Sequence, residues 1–275
     1  MAQYTNFSIN LDGTADSVDG AIDTPRSAWN TAVIRSFSFW VKLSTGGGVS
    51  QGFIGGWSSY GTKNRYSLGI GLSNDYLTLA YDGMWNTNGN RCQSTNLLDG
   101  SGPSGYDIKD GNWHHIVVYC PMVASGAADR PNIHNAKMWY DGNVLPVTTT
   151  EGTANIRGMD DLSIGSSYYG GTKWLDGNIT ELAYWNNTEL TNGNVTAIYN
   201  SGTPNDISSF SPTPTAYYRL GEKATFSTNW TIEDQIGSYD VTSVSVGIEG
   251  REGTAPNSIN NGLTVNMDAA DRVAP

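Results

Sequence analysis

Hydrophobic and polar residues alternate with a period of two through most of the first 185 positions of this chain. In SFSFWVKL, Phe37, Phe39, Val41 and Leu43 fall on one face and Ser38, Trp40 and Lys42 on the other, the pattern of a half-buried β-strand. YSLGIGLS repeats it: Tyr66, Leu68, Ile70 and Leu72 alternate with Ser67, Gly69, Gly71 and Ser73, whose small size leaves a bare surface that something can approach closely. YLTLAYDG, AKMWYDGN and NITELAYWN read the same way. In GNWHHIVVYC the alternation puts Trp113, His115, Val117 and Tyr119 on one face, and His114, Ile116, Val118 and Cys120 on the other. Adjacent side chains of a strand diverge, so these two histidines cannot serve one metal or one substrate. The expectation is a structural role inside a sheet, each ring with a hydrogen-bond partner.

Turn signals separate the alternating runs. Seven Asp-Gly dipeptides begin at Asp12, Asp19, Asp82, Asp99, Asp110, Asp141 and Asp176, and Asn-Gly occurs at Asn88, Asn192 and Asn261. Asp-Gly supplies the positive φ of a type I′ turn, so Asp141-Gly142, between AKMWY and NVLPV, predicts a two-residue hairpin. One short helix is predicted in TELTNGNVTAIYNSG, where Val195, Ile198 and Tyr199 keep helical spacing, Thr191 or Asn194 can cap the start and Gly202 can stop the end. Nothing periodic is long enough for βαβ crossovers, which excludes a doubly wound sheet and leaves an all-β antiparallel sandwich or jelly roll.

The pattern changes at SGTPNDISSFSPTPTAYYRLGE, where Pro204, Pro212 and Pro214 interrupt any ladder. The division read from this is a sandwich domain over residues 1–203, a Pro-rich linker over 204–216, and an extension over 217–275 with two strand-like pieces, AYYRL and YDVTSVSVGI. So few apolar residues in a segment of that size predict packing onto the sandwich or onto a partner.

Composition narrows the function classes. Only 15% of the 275 residues are charged, and the net charge is −11, so a phosphate backbone would be repelled and nucleic acid is disfavoured. No run of 18 apolar residues occurs, and MAQYTNFSINL has neither a basic nor an apolar signal region, so neither membrane insertion nor export is expected. Cys92 and Cys120 lie outside zinc-type spacing; a large domain folds without a disulfide, and spacing does not say whether the two meet. The sequons at Asn6, Asn178, Asn186, Asn194 and Asn229 are expected by chance in an Asn- and Thr-rich chain, and without an export signal they read as unmodified.

Six segments in order, NFSINLDGTADSV, SFSFWVKL, GNWHHIVVY, AKMWYDGN, LSIGSS and LDGNITELAYWNNTELTNGNVTAIYNSG, resemble the concanavalin A-like, laminin G-like jelly roll over residues 4 to about 202. The resemblance implies two curved antiparallel sheets, a concave face that binds glycans in many members, and a structural calcium in many. TAYYRLGE, WTIEDQIGSYDVTS and NMDAADRVAP resemble segments that follow such domains in structural proteins of tailed phages of marine bacteria. That second resemblance agrees with the missing signal: a virion protein is made in host cytoplasm and leaves by lysis.

The glucanases of the fold carry a Glu-x-Asp-x-x-Glu strand that is not found here, and NITELAYW offers the lone Glu181, so no catalytic residue is assigned. Calcium candidates are Asp12, Asp16 and Asp176, near the first strand's turn and the late strands as the resemblance implies, although turn formation alone explains Asp12 and Asp176. Glycan candidates are the rings of GGWSSYG (Trp57, Tyr60), YDGMWNTNGNR (Trp85) and SSYYGGTKW (Tyr168, Tyr169, Trp174), which can stack on sugar faces or equally well make subunit contacts. The functional expectation is a non-enzymatic, exposed virion component of a tailed phage, a head decoration or fibre. It would self-associate and contact other virion proteins, bind host-surface glycan weakly, and require no cofactor beyond an optional structural Ca2+. The alternatives are a free lectin-like protein and, less favoured, a glucanase.

Overall fold

A computed structural model describes residues 8–13, 17–21, 35–58, 65–81, 90–121, 133–150, 161–166, 174–220, 224–227, 229–244 and 251–252. In chain order the first strands are β1 Ser8–Asp12, β2 Ser17–Ala21, β3 Arg35–Leu43, β4 Gln51–Ser58, β5 Arg65–Ser73 and β6 Tyr76–Tyr81. They continue with β7 Asn90–Ser94, β8 His114–Cys120, β9 Lys137–Tyr140, β10 Asn143–Leu145, β11 Val147–Thr150, β12 Asp161–Ile164 and β13 Asp176–Asn186. After helix α1, Asn192–Tyr199, come β14 Ala216–Tyr218, β15 Thr225–Phe226, β16 Trp230–Ile232, β17 Val241–Val244 and β18 Arg251–Glu252. One sheet runs β10-β9-β8-β3-β13-β1-β18, with β14 also on β13; the other runs β11-β7-β6-β5-β4-β12-β2-β17-β16-β15. The result is an almost all-β antiparallel jelly-roll sandwich. No helix among the described residues is long and apolar enough to cross a membrane.

The core between the sheets follows the alternation. Phe37, Phe39, Val41 and Leu43 of β3 meet Ile116 and Val118 of β8, and across the gap Leu68, Ile70 and Leu72 of β5 and Leu77 and Leu79 of β6. The C-terminal segment is part of this same core: Tyr218, Leu220, Trp230, Ile232 and Val241 belong to it. Its strands join both sheets, β14 on β13, β17 on β2 and β18 on β1.

The expectation that β3 is half buried needs correction. Its polar face is buried too, with Ser36, Ser38 and Trp40 all nearly inaccessible. A second apolar cluster explains this, because α1 and the following chain lie over the outside of the first sheet. Val195 and Ile198 of α1, with Leu190 and Ile207, pack there on Val117, Tyr119, Trp139, Ala183, Trp185 and Tyr217. Several polar groups trapped underneath find partners. Ser36 Oγ donates to Thr188 O at 2.9 Å, Trp139 Nε1 donates to Asn192 Oδ1 at 2.9 Å, and Trp185 Nε1 donates to Pro212 O at 2.7 Å.

Local signals fared unevenly. Helix α1 starts as expected, with Thr191 as N-cap in a reciprocal capping box with Asn194, but it stops at Asn200 in the left-handed region (φ 47°) rather than at Gly202. The β9–β10 hairpin turns on Asp141 (φ 48°) and Gly142 (φ 76°), and a Cβ at Gly142 would meet the Tyr199 ring at 2.8 Å. Asp19-Gly20, in contrast, lies inside β2 and is no turn. The β5–β6 turn is made instead by Asn74 (φ 49°) and Asp75 (φ 66°), a pair without glycine, because Asn and Asp tolerate left-handed backbone.

Candidate functional site

One end of the sandwich gathers the 44–50 loop, the Asn74–Asp75 turn, the 95–113 loop, the Asp141–Gly142 turn and the start of β13. Asp75 N–H donates to Val49 O at 2.8 Å, Leu98 N–H to Asp75 O at 2.9 Å, and Asp176 N–H to Gln51 Oε1 at 2.9 Å. Lys109 and Asp75 form an ion pair there.

His114 is the hub of this end. Its Nδ1 lies 2.8 Å from Asp141 Oδ2 and 2.6 Å from the Tyr140 hydroxyl, and its Nε2 lies 3.0 Å from Asp110 Oδ1. The ring stacks on Tyr140 at 4.8 Å between centroids. Burial pulls its pKa down, but the hydrogen bonds and charges of Asp141 and Asp110 outweigh that and hold it above the ordinary histidine value.

His115 points the other way, as the alternation requires. Its Nε2 shares a hydrogen bond with Ser38 Oγ at 2.8 Å, and its ring lies 5.1 Å from Trp40 and 5.9 Å from Tyr199. A serine beside a histidine is the beginning of a nucleophile pair, but here the machinery is incomplete. The ring is wholly buried and its Nδ1 has no partner, because Asp141 Oδ1 accepts the backbone N–H of His115 at 2.8 Å instead of the ring. Burial presses the His115 pKa down to about 4, which makes the ring a poor base near neutrality.

Two further strings with catalytic overtones resolve structurally. GVSQG, residues 48–52, has Gly-x-Ser-x-Gly spacing, a signal that reading the alternation passes over. Ser50 precedes a strand and not a helix, and its Oγ accepts the Asn74 N–H at 3.2 Å, so it is not a strand-to-helix nucleophile elbow. Glu181 sits in a bulge of β13 at φ 51° and is buried. Its carboxylate accepts from the Tyr217 hydroxyl and lies 3.6 Å from Arg219 Nε, so it ties the C-terminal segment to the sandwich.

Asp12 and Asp176, two of the three calcium candidates, are register partners across β1 and β13; Asp16 lies outside the described residues. Among the described residues no group of three or more His, Cys, Asp or Glu is placed to hold a metal ion.

Of the aromatic candidates, Tyr60, Trp85, Tyr168 and Tyr169 lie outside the described residues. Trp57 stands near the outgoing end of β4, opposite Asp161, whereas Trp174 bridges Ser166 beside the incoming end, where Gly165 N–H donates to Phe53 O at 2.7 Å. The four residue steps from Phe53 to Trp57 span about 13 Å at strand rise. The strand ends flanking 59–64 and 82–89 lie at the Trp57 end, and those flanking 167–173 at the other. The aromatic strings therefore leave from opposite ends of the second sheet. Between them, the face turned away from the core is small and polar. Ser163, Gly55, Gly69, Ala80, Arg91 and Thr150 stand in register across six strands, and Gly71, Thr78, Gln93 and Thr148 make the next row. Gln93 Nε2 donates to Thr78 Oγ1 at 3.1 Å.

A family model described as the concanavalin A-like lectin/glucanases superfamily matches residues 16–196. No curated protein matches the chain. Among solved structures, domains LG4-5 of the mouse laminin alpha1 chain match at 13% identity and TM-score 0.43, covering 66% of this chain and 42% of that one, so this chain spans less than half of that structure. The Ruminococcus gnavus IT-sialidase CBM40 bound to alpha2,3 sialyllactose matches at 10% identity and TM-score 0.45, covering 70% and 95%. The native heptameric SAP-like pentraxin from Limulus polyphemus matches at 14% identity and TM-score 0.43, covering 72% and 84%.

Proposed function

This chain belongs to the concanavalin A-like lectin/glucanase superfamily, and from that premise we propose that it is a non-enzymatic glycan-contacting module on the surface of a tailed-phage particle. The observation that carries the glycan reading is the outer face of the ten-stranded sheet. Glycine, alanine, serine and threonine line its buried middle, and towards the β7–β11 edge the half-buried Arg91 and Gln93, beside the exposed Thr148 and Thr150, supply donors for a sugar's hydroxyls. The non-enzymatic part is supported by the fate of the buried ionisable groups: Glu181, His114 and His115 are each spent on internal contacts. The particle setting rests on the resemblance of the C-terminal segments to those of phage structural proteins. Single-site affinity through so few polar groups is weak and becomes useful when many copies are displayed together.

The test is retention of the purified chain on a panel of immobilised polysaccharides. Arg91→Ala, Gln93→Ala and Trp57→Ala are each expected to shorten retention on the matrix that binds the wild type, with no release of reducing sugar. Retention unchanged in all three variants would remove the outer face from the account, and released reducing sugar would make the chain an enzyme. Mass spectrometry of purified particles checks the setting separately.

A further inference from the structure

The geometry points to His114 as a proton-operated latch that fastens the 95–113 loop to the β9–β10 turn and releases the loop when the ring loses its proton. The two carboxylates that grip the ring come from different segments: Asp110 from the loop, at Nε2, and Asp141 from the turn, at Nδ1. Only the imidazolium has an N–H for each of them. A neutral ring keeps one N–H, so one carboxylate is left facing a lone pair.

The surroundings decide which grip fails. Asp141 is held independently, because its Oδ1 accepts the His115 backbone N–H at 2.8 Å and its own N–H donates to His115 O at 2.9 Å. Asp110 has no such tie to the sheet. Its other bonds run to Asn112 within the same loop, from the backbone N–H at 2.7 Å and from Nδ2 at 2.9 Å. The remaining ionisable neighbour, Tyr140, donates to Asp107 O at 3.2 Å and so turns an oxygen lone pair to Nδ1 at 2.6 Å, which with Asp141 keeps the single proton of the neutral ring on Nδ1 and leaves Nε2 bare towards Asp110. Its pKa is pushed far up by burial and then by Asp141, Asp110 and Asp107, so it stays a neutral donor throughout. From β3 the paired residue is the apolar Val41. The ion pair of Lys109 with Asp75 holds the loop further along, so release is confined to the stretch around Asp110.

The experiment combines NMR titration of the His114 ring with hydrogen exchange of residues 107–113 from pH 6 to 9, corrected for intrinsic exchange rates. Exchange is expected to rise at least tenfold across the range, with the same midpoint as the ring. Asp110→Asn, at a solvent-facing position, is expected to lower both midpoints together, and His114→Gln to abolish the step. A wild-type loop whose corrected exchange shows no step overturns the latch. So does a step that survives in His114→Gln, or a midpoint that stays put in Asp110→Asn, the variant that decides the matter if His114→Gln fails to fold.

Discussion

Asp234 Oδ1 accepts the backbone N–H of Tyr217 at 3.0 Å, joining the loop after β16 to strand β14. The same carboxylate takes the N–H groups of Ile236 and Gly237, both at 3.0 Å, and Tyr217 in turn donates its hydroxyl to Glu181 of β13. One buried acid thus organises the C-terminal segment where it enters the fold.

Replacing Asp234 with Ala strands several backbone N–H groups at once. Each unsatisfied buried donor costs about 1–3 kcal/mol, and partial relaxation leaves an expected loss of about 3 kcal/mol by urea denaturation. Asp234→Asn keeps one acceptor oxygen and is expected to lose less. Equal stability of both variants with wild type would mean that the segment does not depend on this carboxylate.

Consecutive histidines carry opposite pH dependences. His115 binds a proton more readily unfolded, near its ordinary 6.5, than folded, near 4. Its contribution is therefore full above pH 6.5 and drains away as the pH falls towards 4, amounting to about 3 kcal/mol over the whole window. His114 has a raised folded pKa, so its contribution is full below 6.5 and is lost as the pH rises through the folded value. Urea midpoints between pH 4 and 7 should fall less steeply with acid in His115→Asn than in wild type; parallel curves would contradict the buried, neutral ring.

Helix α1 depends on its cap. Thr191 Oγ1 accepts the Asn194 N–H at 3.2 Å, and Asn194 Oδ1 accepts the Thr191 N–H at 3.0 Å. Thr191→Ala should lower stability by about 1 kcal/mol, while Thr191→Ser is expected to stay within a few tenths of wild type. Thermal unfolding distinguishes the two.

Both thiols should be silent in the folded protein. Cys92 and Cys120 are not joined in a disulfide and are buried in the core, and burial lifts the Cys92 pKa to about 12, where almost no thiolate exists. A thiol reagent should find no reactive group until denaturant is added and two afterwards; rapid native labelling would show that the core opens locally.

The alternation of SFSFWVKL, the opposed faces of His114 and His115, the Asp141–Gly142 hairpin and the Thr191 start of α1 were all legible, because each depends on residues within a few positions of one another. The β5–β6 turn was missed for want of a glycine, and Asp19-Gly20 misled because a turn dipeptide is also compatible with extended backbone. Part of the site was legible as well. Trp57 and Trp174 could be named as aromatic candidates, but only the β4–β12 register separates them to opposite ends of a sheet.

By itself, then, the sequence determined which side of each strand is apolar, where several turns fall, and that the chain is an all-β sandwich, since period-two patterning is written locally. Tertiary structure decided what covers each face and what each polar group meets. Ser36 became buried because Thr188 and Leu190, ahead of α1, close over it, and Ser38 because it meets His115; Asp141 reached His114 from 27 positions away; Asp234 and Glu181 found Tyr217 because β14 pairs with β13. Such encounters depend on the pairing of strands far apart in the chain, which the order of apolar and polar residues does not encode.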